Sequence, residues 1–203
     1  MADFHTLVIN LGNLAGVTAL AVQTDAEHVG IWQPRLDIPS GPALLRSVQK
    51  QAQIMGIQHL EVVEPLYRPR STIDIQPQGL DISIILLAAA AYALEHECTR
   101  LVWPMVIGPD YDGVSRELER AQLITQLIEL DMGGEALVID LPFVELSDDQ
   151  LAEVALHADA PVKAAWWCEY DREKPCGGCD ACLRWRRVVD AAIPPGRAKI
   201  AAE

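Results

Sequence analysis

Apolar residues along this chain come in two rhythms, short continuous runs and longer stretches with a helical period, and the two alternate from end to end. Thr6 to Leu11 reads as a strand, and the turn 10–16 leads into a helix opening over Val17 to Val22. A short apolar run surrounds Val29-Gly30-Ile31-Trp32, followed by a proline-rich loop from Pro34 to Pro42. A helix from about Ala43 to Met55 then stops at Gly56, the residue type preferred just past a helix end. His59 to Val63 is another strand, after which Pro65, Pro69 and Pro77 punctuate a long irregular stretch. Asp81 is placed to cap an almost wholly apolar helix through Tyr92, which should be buried. Arg100 to Val106 and Ala136 to Leu141 read as strands around a loop at Asp110-Tyr111-Asp112-Gly113 and a helix from Ser115 to Asp131. Ser147 and Gln150 have the spacing of a capping box for a helix running to about His157.

Alternation of this kind predicts an α/β fold, a parallel sheet with helices on both faces. With 203 residues, half of them apolar, the chain is long enough for one sizeable core. We expect an α/β domain over 1–160 and a small C-terminal segment over 161–203. The first residues lack the basic start and apolar core of a signal peptide, and the longest apolar stretch, Ile82 to Leu94, is too short to span a bilayer. A cytoplasmic protein without a membrane partner is therefore expected. Sixteen basic against twenty-nine acidic residues give a net charge of −13, which argues against nucleic acid spread over the surface. Arg184, Arg186 and Arg187 form a local exception, read first as a solvated helix face.

The most specific chemistry is Cys168, Cys176, Cys179 and Cys182, a C-x7-C-x2-C-x2-C pattern holding four of the five cysteines. Two sulfurs of one tight turn can reach a single ion, and Gly177 and Gly178 relax the backbone between them. Four thiolates suit structural Zn²⁺, with a disulfide pair, buried thiols or an iron–sulfur cluster as alternatives. Four sulfurs leave no open position for water, so the metal's expected role is to fold the segment. Trp166, Trp167 and Trp185 flank the site, either packing it onto the domain or stacking RNA bases. His5, His28, His59, His96 and His157 read as dispersed, and Cys98 as a core residue.

In a parallel sheet, ligands lie beyond the carboxyl ends of the strands, so the loop after the first strand is where a nucleotide would sit. It supplies Gly12 and Gly16 with Asn13, but Leu11, Leu14 and Ala15 offer no polar side chain to a phosphate. Asp110 and Asp112 have the spacing of a Mg²⁺ site but read first as an ordinary turn.

Taken in order, these segments resemble the 7-cyano-7-deazaguanine synthases (QueC, also called ExsB), ATP-pyrophosphatase-type (PP-loop) enzymes with a four-cysteine zinc site. Cys168 with Pro175-Cys176-Gly177-Gly178-Cys179-Asp180-Ala181-Cys182-Leu183-Arg184 carries most of the likeness. Gln78-Gly79, Asp110-Tyr111-Asp112-Gly113, Leu141-Pro142-Phe143 and Leu146-Ser147 follow in the family's order. The resemblance implies ATP-dependent conversion of a 7-carboxy-7-deazaguanine to its amide and nitrile, with Gly12, Asn13, Gly16, Gly79 and Asp110 as the nucleotide-binding positions. The family's loop reads Ser-Gly-Gly-x-Asp-Ser, whereas Leu11 to Gly16 here keeps one of those glycines and neither serine nor aspartate. An arginine–asparagine pair expected after Gly79 is Leu80-Asp81, and a lysine expected after Ser147 is Asp148. The sequence therefore points to a zinc-containing relative with eroded ATP chemistry, serving as a purine- or nucleotide-binding protein or the partner of another protein. The alternative is an active ligase in which Arg68, Arg70 or Lys163 replaces the missing groups. The Ile82 to Leu94 helix reads as core alone or as a contribution to a homodimer interface, and periodicity does not separate the two.

Overall fold

A computed structural model of the chain describes residues 4–23, 26–64, 80–132 and 137–192. Gln78 and Gly79, Arg68 and Arg70, and Ala136 at the start of the predicted last strand lie outside these residues. Strands β1 (Thr6–Ile9), β2 (Val29–Pro34), β3 (His59–Val63), β4 (Arg100–Val102) and β5 (Val138–Asp140) form one sheet. All the pairings are parallel, in the order β3-β2-β1-β4-β5. The helices are α1 (Leu14–Ala21), α2 (Gly41–Met55), α3 (Leu80–Glu95), α4 (Tyr111–Met132), α5 (Asp148–His157) and α6 (Asp180–Ala192).

Strand β1 shows why both faces need cover. Leu7 and Ile9 point into one core with Ile82, Leu86, Ala89 and Ala93 of α3 and Ala121, Ile124 and Ile128 of α4. Val8, on the alternate face, packs with α1, with Val48 and Ala52 of α2 and with Leu151, Ala152 and Ala155 of α5. The chain leaves β1 toward β2 on one side and passes from β3 across to β4 on the other. The strand order switches between β1 and β4, the place where a parallel sheet ordinarily receives a ligand at its carboxyl ends.

Several boundaries differ from expectation, each for a local reason. The apolar run at Val29 is a fully buried strand, β2. The first strand ends at Ile9 because the Asn10 side chain turns back to the Gly12 N–H, and Asn13 starts α1 at Leu14 rather than Val17. Helix α2 starts at Gly41, with Pro42 in the first turn where no N–H is needed. Strand β4 stops at Val102, two residues before Pro104, which has no N–H for the ladder. Asp81 lies inside the first turn of α3 rather than capping it, and Tyr111 to Gly113 form the first turn of α4 rather than a loop. The apolar α3 buries one stripe and leaves Leu87 exposed, so it is not wholly interior. Capping by Ser147 is as expected, with its side chain accepting from the Gln150 N–H and the Gln150 side chain accepting in return.

Candidate functional site

Beyond the carboxyl end of β1 the chain makes a loop whose polar groups are satisfied internally. Asn10, fully buried, accepts the Gly12 N–H at 2.8 Å through Oδ1 and donates from Nδ2 to Gln51 Oε1 at 2.8 Å. Asn13 caps α1 by accepting the Gly16 N–H at 2.9 Å. Two backbone donors that could face an anion are thus turned toward the chain's own asparagines. The Gly12 carbonyl accepts from Ser47 Oγ at 2.7 Å, Gln51 Nε2 at 3.2 Å and the Trp166 N–H at 2.8 Å. Gln51 Nε2 also reaches the Ala164 carbonyl, which Ser47 Oγ approaches as well.

Sterics close the loop further. Gly12 has φ of +80°, and a Cβ there would lie 2.6 Å from the Leu44 carbonyl oxygen. At Gly16 a Cβ would lie 2.0 Å from Asn10 Oδ1. Leu11, Gly12 and Leu14 to Gly16 are all buried. The loop holds its glycines because its own side chains and α2 press against them.

The other expected site residues scatter along the same edge. Asp110, exposed just before α4, folds its carboxylate toward the first turn, where a Gly113 Cβ would meet Oδ2 at 2.5 Å. Asp148 at the start of α5 accepts two hydrogen bonds from Arg184 of α6, one of them 2.7 Å long. The hydrogen bond to Asp148 raises the Arg184 pKa, against burial, which lowers it, and with the Asp148 charge adding to the rise. Lys163 stands exposed on the short helical turn 162–164.

Cys168, Cys176, Cys179 and Cys182 converge so that their sulfurs all lie within 4.8 Å of one another, Cys176 and Cys182 being 3.9 Å apart. A tetrahedron with metal–sulfur bonds of about 2.3 Å has edges of about 3.8 Å, so the donor set fits one ion. Backbone N–H groups support it: Gly178 and Cys179 donate to the Cys176 sulfur at 3.4 and 3.3 Å, Cys176 to Cys168 at 3.4 Å, and Cys182 to Cys179 at 3.4 Å. Those of Gly178 and then Cys179 bring the Cys176 thiol down to about 6. Burial, by contrast, pushes Cys182 up to about 12 and also raises Cys168. Without a cation the buried sulfurs resist ionisation, and a divalent ion at their centre removes that resistance. Ala165, Trp167, Trp185 and Val188 pack the segment into the α1–α5 core, and Trp166 Nε1 donates to the Cys168 carbonyl at 2.9 Å. All five cysteines are free thiols.

A grouping that the sequence reading missed lies at the opposite end of the strands. His5 and His28 stack with centroids 4.7 Å apart, while Phe4 stacks on His59 at 4.2 Å and Tyr92 on His96 at 4.1 Å. The Tyr92 hydroxyl bonds His59 Nε2 at 2.8 Å. A cavity of about 770 Å³ opens beside Phe4, His5, His28 and His59. The available signal was positional: His5 and His28 immediately precede strands and His59 begins one, so a parallel sheet gathers them at one end.

Comparison with known proteins adds family information to this geometry. The family model described as queuosine biosynthesis protein QueC matches residues 82–191. A 7-cyano-7-deazaguanine synthase of Sulfurimonas denitrificans is 31% identical over 138 residues, 61% of this chain and 62% of that protein. The synthase of Synechococcus sp. is 42% identical over 61 residues, 28% of this chain and 27% of its own length. The matched region thus spans about three fifths of the first relative's length and about a quarter of the second's. Among solved structures, the U34-tRNA thiolase NcsA from Methanococcus maripaludis with its [4Fe-4S] cluster has a TM-score of 0.48 at 10% identity, covering 94% of this chain and 66% of that one. NMN synthetase from Francisella tularensis has a TM-score of 0.49 at 13% identity, covering 98% and 82%.

Proposed function

The chain belongs to the QueC family, whose model spans just over half of it, and from that membership we propose that it is a metal-stabilised homologue that keeps the family fold for binding rather than for ATP-dependent ligation. One observation carries this reading: the Gly12 and Gly16 N–H groups, which a triphosphate would need, are given to Asn10 and Asn13 inside a buried loop. Adenylation develops negative charge on departing pyrophosphate, and each lost preorganised donor costs on the order of 3 kcal/mol in the transition state. Replacement of the expected lysine by Asp148 acts in the same direction, since that carboxylate ties α5 to Arg184.

Zinc is the proposed occupant of the four cysteines, on the fit of the sulfur spacing to one ion. Bound there, it would be held by Cys168, Cys176, Cys179 and Cys182 and would cross-link residues 168 to 182. The division into a domain over 1–160 and a metal-binding segment over 161–203, and the cytoplasmic setting suited to five free thiols, belong to the same proposal. A purine-like ligand or a protein partner would take the place of the ligase reaction. No helix among the described residues is long and apolar enough to cross a membrane.

Calorimetric titration of the zinc-loaded protein with Mg·ATP tests the proposal. No heat up to millimolar nucleotide is expected. Micromolar binding, or AMP and pyrophosphate formed in the presence of a 7-carboxy-7-deazaguanine and ammonia, would overturn it and restore the ligase, with exposed Lys163 the first residue to substitute.

A further inference from the structure

The histidines at the amino ends of the strands frame a pocket built by the sheet itself. His5 and His28 immediately precede β1 and β2, whose register sets Thr6 level with Val29, and the His5 N–H donates to the His28 carbonyl at 3.1 Å. That pairing holds the two imidazoles side by side. Further along the ladder, Gly30 lies beside His59 of β3. A Cβ at Gly30 would meet the Phe4 ring at 2.7 Å, so the glycine makes the room in which Phe4 stacks on His59. The cavity of about 770 Å³ is within the range of small-molecule sites, and the Glu27 carboxylate and the Gln58 amide add polar groups to its rings.

Charge narrows the occupant. Gly56, the left-handed residue that ends α2, lines the cavity, so the negative end of that helix points toward it. Glu27 adds a carboxylate and the whole chain carries −13, and both repel a phosphate. A positive charge is opposed at the His59 wall, where burial first and His96 second lower the imidazole pKa. An uncharged ligand meets neither penalty. Imidazole and phenyl faces stack flat heterocycles. The Glu27 carboxylate offers two acceptor oxygens and no donor, which complements a ring N–H beside an exocyclic amine, the edge of a guanine-type base.

We propose that the cavity at the amino ends of the strands binds an uncharged guanine-type base, stacked against its imidazoles and with Glu27 accepting from the ring N–H and the amine. The inference takes from the reading above only that the chain binds a purine-like ligand, and it places that ligand at the end of the sheet remote from the Gly12 loop.

Guanosine, inosine and GMP separate these contributions, because inosine lacks the amine and GMP adds a phosphate. In NMR titrations of the full zinc-loaded chain, guanosine should move the imidazole signals of His5, His28 and His59. Inosine should bind at least about tenfold more weakly, having lost a hydrogen bond to a charged group, and GMP should also bind more weakly than guanosine. Glu27→Gln should bring guanosine down to the level of inosine with fold and metal content unchanged, since the Glu27 side chain is exposed. Unmoved imidazole signals at millimolar guanosine overturn the proposal, as does equal binding of guanosine and inosine. Guanosine that moves the Gly12 and Gly16 N–H signals instead overturns the location and leaves the chain a purine binder. Micromolar Mg·ATP at that loop, together with guanosine at the imidazoles, overturns the earlier reading and upholds this one.

Discussion

At the scale of single residues, the histidines illustrate how position in a sheet converts ordinary side chains into a coupled group. His59 sits between Phe4 and Tyr92, and its pKa is lowered, first by burial, then by His96, with Glu61 opposing. A folded-state value below the unfolded one means that the folded protein favours neutral His59. That contribution is complete above pH 6.5 and is lost as pH falls from 6.5 toward the lowered value. The urea midpoint should therefore drop between pH 7.5 and 5.5, and drop less in His59→Gln. Equal drops in the two proteins would remove His59 from the explanation. Asn10 and Gln51 are the matching lesson at the other end of the strands. Both are polar and fully buried, and nothing in their spacing announces that each would hydrogen-bond across forty-one positions.

Among elements, α5 was fully legible because its start is written in four consecutive residues. Ser147 and Gln150 exchange two hydrogen bonds, so Ser147→Ala should cost about 1 kcal/mol, read as a lowered denaturation midpoint with no change in metal content. A midpoint unchanged within error would mean that the cap adds nothing to the packing of Leu151 and Ala155. Strand β2 was harder to read, since a buried strand of a parallel sheet lacks the alternation that marks a half-exposed one. The ends of β1 and β4 depend on a side-chain turn at Asn10 and on Pro104, local events that shorten a ladder without altering its apolar pattern. Helix α3 misled in the other direction: nearly every residue is apolar, yet only one stripe of it reaches the sheet. The cysteines were legible from spacing alone because a C-x2-C turn is a local geometry, whereas the closure of the β1 loop depends on α2 and on the segment at Ala164, both remote in sequence.

Across the whole molecule, the loop and the cysteine site are joined. The Gly12 carbonyl takes the Trp166 N–H, Trp166 Nε1 reaches the Cys168 carbonyl, and Cys168 is a fully buried member of the metal set. Two ion pairs bind the same segment to the domain, Arg46 with Asp171 and Arg184 with Asp148. Arg46, Asp171 and Arg184 are exposed and only Asp148 is half-buried, so water weakens both pairs and the packing of Trp167 and Trp185 does most of the holding. Stripping the metal with a chelator should accelerate amide exchange in residues 168 to 182 and also in residues 11 to 16. Faster exchange confined to the cysteine segment would show that the loop stands without it.

The Gly12 carbonyl, with three donors converging on it, also bears on how this chain could have descended from a nucleotide-using ancestor. On the reading proposed above, returning one ancestral serine to the loop would meet neighbours that have already settled on other partners. Asn10, Asn13, Ser47 and Gln51 would have to change in concert, and each isolated step would loosen the fold before it regained a phosphate donor. Such a history runs in one direction only. Relatives caught midway should carry the counterparts of Asn10 and Gln51 while still retaining part of the older loop.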